Sequence, residues 1–171
     1  MINCETLSFA SDKPYPEVRI TNQNCTYAGW MLDNIGGSHS EMSTISLYIY
    51  DNLMTNEKYA DVAYIFHKIS IVEMHHLNIF GQLALLLGAS PRLWTCKRGR
   101  KVYWSPGYNH YSTTLEDLLC TALNGERAAV EKYERQISLI DDACITDCLK
   151  RIVLDEEIHV ELIQMMMKEY M

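Results

Sequence analysis

Two Glu-x-x-His units are the chemically distinctive feature of this chain: Glu73-Met74-His75-His76 and Glu156-Glu157-Ile158-His159. On a helix, a Glu and a His three positions apart lie one turn apart on one face and can reach the same cation. Their surroundings make that reading specific. Phe66, Ile69 and Phe80 lie seven before, four before and seven after Glu73, and Leu149, Ile152 and Ile163 hold the same offsets from Glu156. Positions seven apart nearly eclipse on a helix and those four apart flank, so both units fall inside an apolar stripe. A bare carboxylate buried there costs several kcal/mol, and a bound cation offsets that cost. His75, beside His76, reads as solvent-facing.

Both units must be positioned by helices. Apolar spacing of three and four predicts a first helix over about 27–54 and a second over about 57–87, separated by the polar stretch Thr55-Asn56-Glu57-Lys58. A third helix is expected after Ser112-Thr113-Thr114, with Thr113 and Glu116 at capping-box spacing, and a fourth from about Ile145 to the end beyond an Asp141-Asp142 turn. The segment 88–113, rich in Gly, Pro, Trp and Tyr, breaks the pattern and reads as a long crossover. Residues 1–25 read as an extended lead-in, and 26–171 as one domain. The expected fold is all-α, a four-helix bundle of two antiparallel hairpins joined by that crossover.

Hairpin geometry supplies two further carboxylates. Residues equidistant from a turn lie at equal height in an antiparallel pair. The midpoint of Glu41 and Glu73 falls at residue 57, beside the first turn, and that of Glu126 and Glu156 at residue 141, inside the second. Glu41 is the one glutamate between residues 18 and 56. Glu126 has Leu119, Ala122, Ala129 and Tyr133 around it on the helix wheel, whereas Glu131 points to solvent. Glu41 and Glu126 are 85 residues apart, and Glu73–Glu156 and His76–His159 are each 83 apart, so the chain reads as two copies of one hairpin. Four carboxylates and two neutral imidazoles balance the charge of two divalent metals. The donor set suits iron or manganese. Tyr48 and Tyr133, seven residues beyond Glu41 and Glu126, are candidates for hydrogen bonds beside the metals.

Composition bounds the rest. The chain has 171 residues, is 48% hydrophobic and carries a net charge of −7, which argues against nucleic-acid binding. No apolar run approaches the ~20 residues needed to cross a bilayer. The first residues have neither a basic nor an apolar leader pattern, so the expected location is the cytoplasm. None of the six cysteines forms a Cys-x-x-Cys pair, and the expected state is inert reduced thiol. Lys97-Arg98-Gly99-Arg100-Lys101 reads as a solvated basic loop.

One Glu from each of two helices and a Glu-x-x-His from each of the other two resembles the ferritin-like dinuclear carboxylate proteins. Tyr27-Ala28-Gly29 through Ser40-Glu41-Met42-Ser43 and Tyr48 resembles first helices of the rubrerythrin and manganese-catalase branch. The resemblance implies an oxidoreductase acting on hydrogen peroxide or dioxygen at two iron or two manganese ions, held by Glu41, Glu73, His76, Glu126, Glu156 and His159. Without rubredoxin knuckles in this chain, any electron donor is a separate protein. A homodimer or larger homo-oligomer is expected. Bacterioferritins share the six-ligand pattern, so ferroxidase-linked iron storage is the alternative activity, and a non-catalytic metal-stapled bundle the alternative without turnover.

Overall fold

A computed structural model describes residues 1–171. Five helices form four rods: α1 (Cys25–Gly36) and α2 (Glu41–Thr55) in series, then α3 (Ala60–Leu86), α4 (Leu115–Leu139) and α5 (Ala143–Tyr170). The first rod is therefore broken, where the apolar periodicity predicts one continuous helix over 27–54. The break lies at Gly36-Gly37-Ser38-His39. A Cβ on Gly36 would sit 2.3 Å from the backbone nitrogen of Trp94 and 2.6 Å from the carbonyl carbon of Leu93, so the crossover packs directly on bare backbone there. Ser40 restarts the helix, its side chain accepting from the Ser43 N–H. Glu41 consequently occupies the first turn of α2, where the helix dipole favours an anion.

The two turns fall at Asn56–Tyr59 and Ile140–Asp142, around the midpoints 57 and 141. Asp142 caps α5 by accepting from the N–H groups of Cys144 and Ile145. The cap of α4 is Thr114, accepting from Asp117 N–H, one residue later than the Thr113–Glu116 box expected. The crossover is partly ordered into β1 (Trp94–Lys97) and β2 (Arg100–Tyr103), an antiparallel hairpin with Trp94 opposite Tyr103. Its turn uses Arg98 and Gly99, both at positive φ. Trp104 donates to Ser43 Oγ at 3.0 Å, and Asn109 to Ser43 O at 2.9 Å and Ser46 Oγ at 2.7 Å, tying the crossover to α2.

The core is divided. One apolar cluster joins α1 to the C-terminal half of α3, the second half of α4 and the first half of α5, with Ile35, Phe80, Tyr133 and Leu149 at its centre. The other joins α2 to the opposite halves of those helices, through Tyr48, Phe66, Leu119 and Ile163. Between them lies a polar belt at mid-bundle. The first 24 residues run largely extended along α3 and α5, with one short turn at Cys4–Thr6. No helix is long and apolar enough to cross a membrane.

Candidate metal centre

The polar belt holds all six predicted residues. Glu41, Glu73, His76, Glu126, Glu156 and His159 are at most 2% exposed. They form two overlapping groups, Glu41-Glu73-His76-Glu156 and Glu73-Glu126-Glu156-His159, in each of which one donor atom per residue lies within 4.8 Å of the others. Glu73 and Glu156 belong to both. Glu73 turns Oε2 to His76 Nδ1 at 3.0 Å and Oε1 to His159 Nδ1 at 2.9 Å. Glu156 does the same, with Oε1 at 3.2 Å from His76 Nδ1 and Oε2 at 3.5 Å from His159 Nδ1. Each carboxylate thus offers one oxygen to each half of the centre. Glu41 closes one half and Glu126 the other.

The outward sides of these groups are braced, and in pairs. The Tyr133 hydroxyl of α4 donates to Glu41 Oε1 on α2, and the Tyr48 hydroxyl of α2 donates to Glu126 Oε1 on α4. Both tyrosines are at most 2% exposed. The hydroxyls cross between the rods, so each holds the carboxylate of the other hairpin. The imidazoles face inward through Nδ1 and outward through Nε2. His76 Nε2 lies 3.1 Å from Asp155 Oδ2, and His159 Nε2 lies 3.0 Å from the Phe9 carbonyl. A partner on the outer nitrogen fixes ring orientation and tautomer, leaving Nδ1 as the donor atom.

Asp155 is itself held from three sides. Arg151 Nη1 donates to Oδ1 at 2.6 Å, Ser11 N–H to Oδ1 at 2.7 Å, and the Tyr15 hydroxyl to Oδ2. Arg151 also donates to the Lys13 and Ser11 carbonyls and stacks on the Tyr15 ring. These partners escaped the sequence reading. An Arg and an Asp four apart on α5 were visible as a charged pair, but periodicity does not reveal that residues 9–15 cover them. His75 is exposed, as expected, with its ring against Tyr15, and Glu131 faces solvent.

Electrostatics fit a cation-binding cluster. Burial raises Glu41 well above the ordinary carboxylate value, helped by Glu73 and Glu156, and raises Glu126 to about 7, helped by Glu156. Burial and a neighbouring carboxylate also push Glu73 and Glu156 up, but the two imidazoles outweigh them and both sit below the ordinary value. Burial opposes charge on His76 and His159, yet the carboxylates around them raise both well above the ordinary imidazole value. Without metal, the raised proton affinities of Glu41, Glu126, His76 and His159 favour protons as the counter-charge within the cluster. The substitution is imperfect. Glu73 Oε1, Glu156 Oε1 and His159 Nδ1 are buried with no aligned hydrogen-bond partner, because they converge on common points rather than on each other. Donors so arranged fit metal ions, and four carboxylates with two imidazoles suit manganese or iron better than copper or a thiolate zinc site.

A cleft of about 340 Å³ reaches this centre from the α2–α4 side, with Glu41, Glu156, Tyr48 and Tyr133 at its inner end. Tyr108, Asn109 and His110 of the crossover form part of its wall. The histidines and the lead-in lie on the opposite, α3–α5 side.

The fold and this cluster together define a ferritin-like helical bundle with a buried carboxylate and histidine centre. The chain is similar in structure to KatB, a manganese catalase from Anabaena, in two crystal structures, one of them of the wild type. Each has a TM-score of 0.78, is 20% identical, and covers 95% of this chain and 80% of its own. No protein-family model matches the chain, and no curated protein matches it in sequence.

Proposed function

We propose that this protein is a dinuclear metal oxidoreductase that decomposes hydrogen peroxide. The observation that carries the reading is the double sharing of Glu73 and Glu156, each with one oxygen toward each imidazole. Glu41 and His76 would complete one metal position, Glu126 and His159 the other. Two metal ions bound there supply a two-electron redox couple matched to cleavage of an O–O bond. Manganese is the favoured pair, because the structurally similar KatB is described as a manganese catalase. With manganese, hydrogen peroxide serves as both oxidant and reductant. With iron, a separate electron-transfer protein would be needed.

The chain's own groups have distinct tasks. Glu41 and Glu156 meet substrate at the inner end of the cleft. Glu41 is held by Tyr133 at Oε1, which fixes the direction its carboxylate takes at the end of the cleft. The Tyr48 and Tyr133 hydroxyls keep the terminal carboxylates oriented. The two apolar clusters close the centre off at its two ends along the bundle. A cytoplasmic setting accords with six unpaired cysteines. Assembly into a homodimer or larger homo-oligomer is part of the proposal, read out by size-exclusion chromatography.

The direct test is elemental analysis of protein purified without added metal, paired with oxygen evolution from hydrogen peroxide. Two manganese ions per chain with sustained oxygen release is the expected result. Full metal loading without turnover, with either metal, would instead favour a structural staple.

A further inference from the structure

Resting on the proposed peroxide chemistry, we infer that the α2–α4 cleft admits a neutral organic hydroperoxide, so that the protein reduces ROOH as well as hydrogen peroxide. The argument begins with size. Hydrogen peroxide fills roughly the space of one or two waters, at about 30 Å³ each. The cleft measures about 340 Å³, inside the range of roughly 300–1,000 Å³ of pockets that hold small organic ligands. Its width comes from side chains that are missing. On α4, Ala122, Gly125, Ala128 and Ala129 line it. Nothing lies within 4 Å of where a Cβ on Gly125 would point. Glycine is disfavoured in a helix interior relative to alanine, and here it leaves the passage open. The cleft also reaches the centre itself: Glu41 and Glu156, both buried members of the carboxylate cluster, are among its lining residues.

Charge selects among organic peroxides. Glu41 and Glu156 lie at the inner end, and no lysine or arginine lines the cleft. A charged group on the R side of an anionic peroxide would find no lysine or arginine along the wall to pair with, His39 and His110 being the ionisable bases of the lining. Leu47, Tyr108 and the alanines offer an apolar wall to the R group, while the hydroperoxide end reaches the polar centre. The electrons come from hydrogen peroxide: ROOH + H2O2 → ROH + O2 + H2O. The O–O bond of ROOH breaks and takes up two electrons. Both electrons and both protons leave hydrogen peroxide, one proton ending on the alcohol and the other on water.

The test uses the full manganese-loaded chain with cumene hydroperoxide as the neutral probe and a carboxylate-bearing hydroperoxide of similar size as the anionic one. Formation of 2-phenyl-2-propanol in the presence of hydrogen peroxide is expected, with the anionic probe at least tenfold slower. Gly125→Leu, and separately Ala128→Leu, should lower the rate on cumene hydroperoxide at least tenfold relative to that on hydrogen peroxide. Binding of the unreactive 2-phenyl-2-propanol is measured in parallel by ligand-observed NMR, with and without metal. Binding by the wild-type chain that Gly125→Leu abolishes supports the inference even where hydrogen peroxide is not consumed, an outcome that would defeat the proposed function alone. Turnover of hydrogen peroxide with neither alcohol formation nor alcohol binding would overturn the inference and leave the proposed function standing. Equal selectivity in wild type and both leucine variants, or preference for the anionic probe, would also overturn it.

Discussion

At the scale of single residues, the centre distributes two kinds of task. Glu73 and Glu156 face both halves, whereas Glu41 and Glu126 each serve one and are each held by a tyrosine. Removing a shared ligand should therefore do more than removing a terminal one. Glu73→Ala is expected to reduce bound manganese from two ions to fewer than one per chain, since both positions lose a donor. Two ions per chain by elemental analysis in that variant would refute the assignment. Tyr133→Phe tests the bracing. It leaves the buried Glu41 carboxylate without its donor, which costs about 1–3 kcal/mol, and loss of such an outer partner weakens metal binding roughly 10–100-fold. Equilibrium dialysis should show the weaker affinity with Tyr133→Phe, and an unchanged dissociation constant would reduce Tyr133 to a packing residue. The four Glu-x-x-His candidates were readable because a charged side chain inside an apolar stripe violates the helical pattern locally, and Glu41 and Glu126 because hairpin midpoints put them level with Glu73 and Glu156. Asp155 and Tyr15 were not, because their burial depends on a lead-in 140 residues away along the chain.

At the scale of elements, the placement of ligands follows from turns and caps more than from helix propensity. The turn positions set the height of Glu41 against Glu73 and of Glu126 against Glu156, and these were legible because polar turn residues interrupt the periodicity. The break in the first rod was not, although Gly36-Gly37 and Ser40 were in view. Apolar spacing continues across it in register, so periodicity alone predicts one helix. The break has a steric origin, and Gly36→Ala tests it: a Cβ there overlaps the Leu93–Trp94 backbone, and either α1 or the hairpin must shift. A loss of about 1–3 kcal/mol is expected from such overpacking, read as a lower denaturant midpoint with an unchanged slope. Ser40→Ala should cost about 1 kcal/mol through the lost cap. That variant should also loosen the Glu41 end of the centre, because the cap sets where α2 begins. A metal affinity unchanged in Ser40→Ala would separate the helix start from the centre.

At the scale of the whole molecule, the centre reverses how stability responds to pH. Without metal, His76 and His159 have folded-state affinities for protons raised above the unfolded value. Their contribution is complete below an unfolded pKa of about 6.5 and is lost as pH rises through the raised folded value. Glu126, at about 7 in the folded state, and Asp51, raised by burial to about 8, act in the same direction. They favour the folded chain at low pH and cease to do so as pH climbs from about 4. Glu73 and Glu156 have the opposite sign, but their lowered values place that loss below the ordinary carboxylate range. The metal-free protein should thus weaken steadily between about pH 4.5 and 8. With metal the sign inverts. Two ions displace the protons of both imidazolium ions and of Glu41 and Glu126, about two protons per metal, so binding should strengthen on the order of a hundredfold per pH unit over the acidic half of that range. Binding to the folded state alone then raises stability with pH by mass action. Thermal melts from pH 4.5 to 8, with chelator and with excess manganese, should give curves of opposite slope that diverge toward neutral pH. Parallel curves would mean that the metals and these protons do not compete for the same six side chains, and the electroneutral exchange that joins the two apolar halves of the bundle would have to be abandoned.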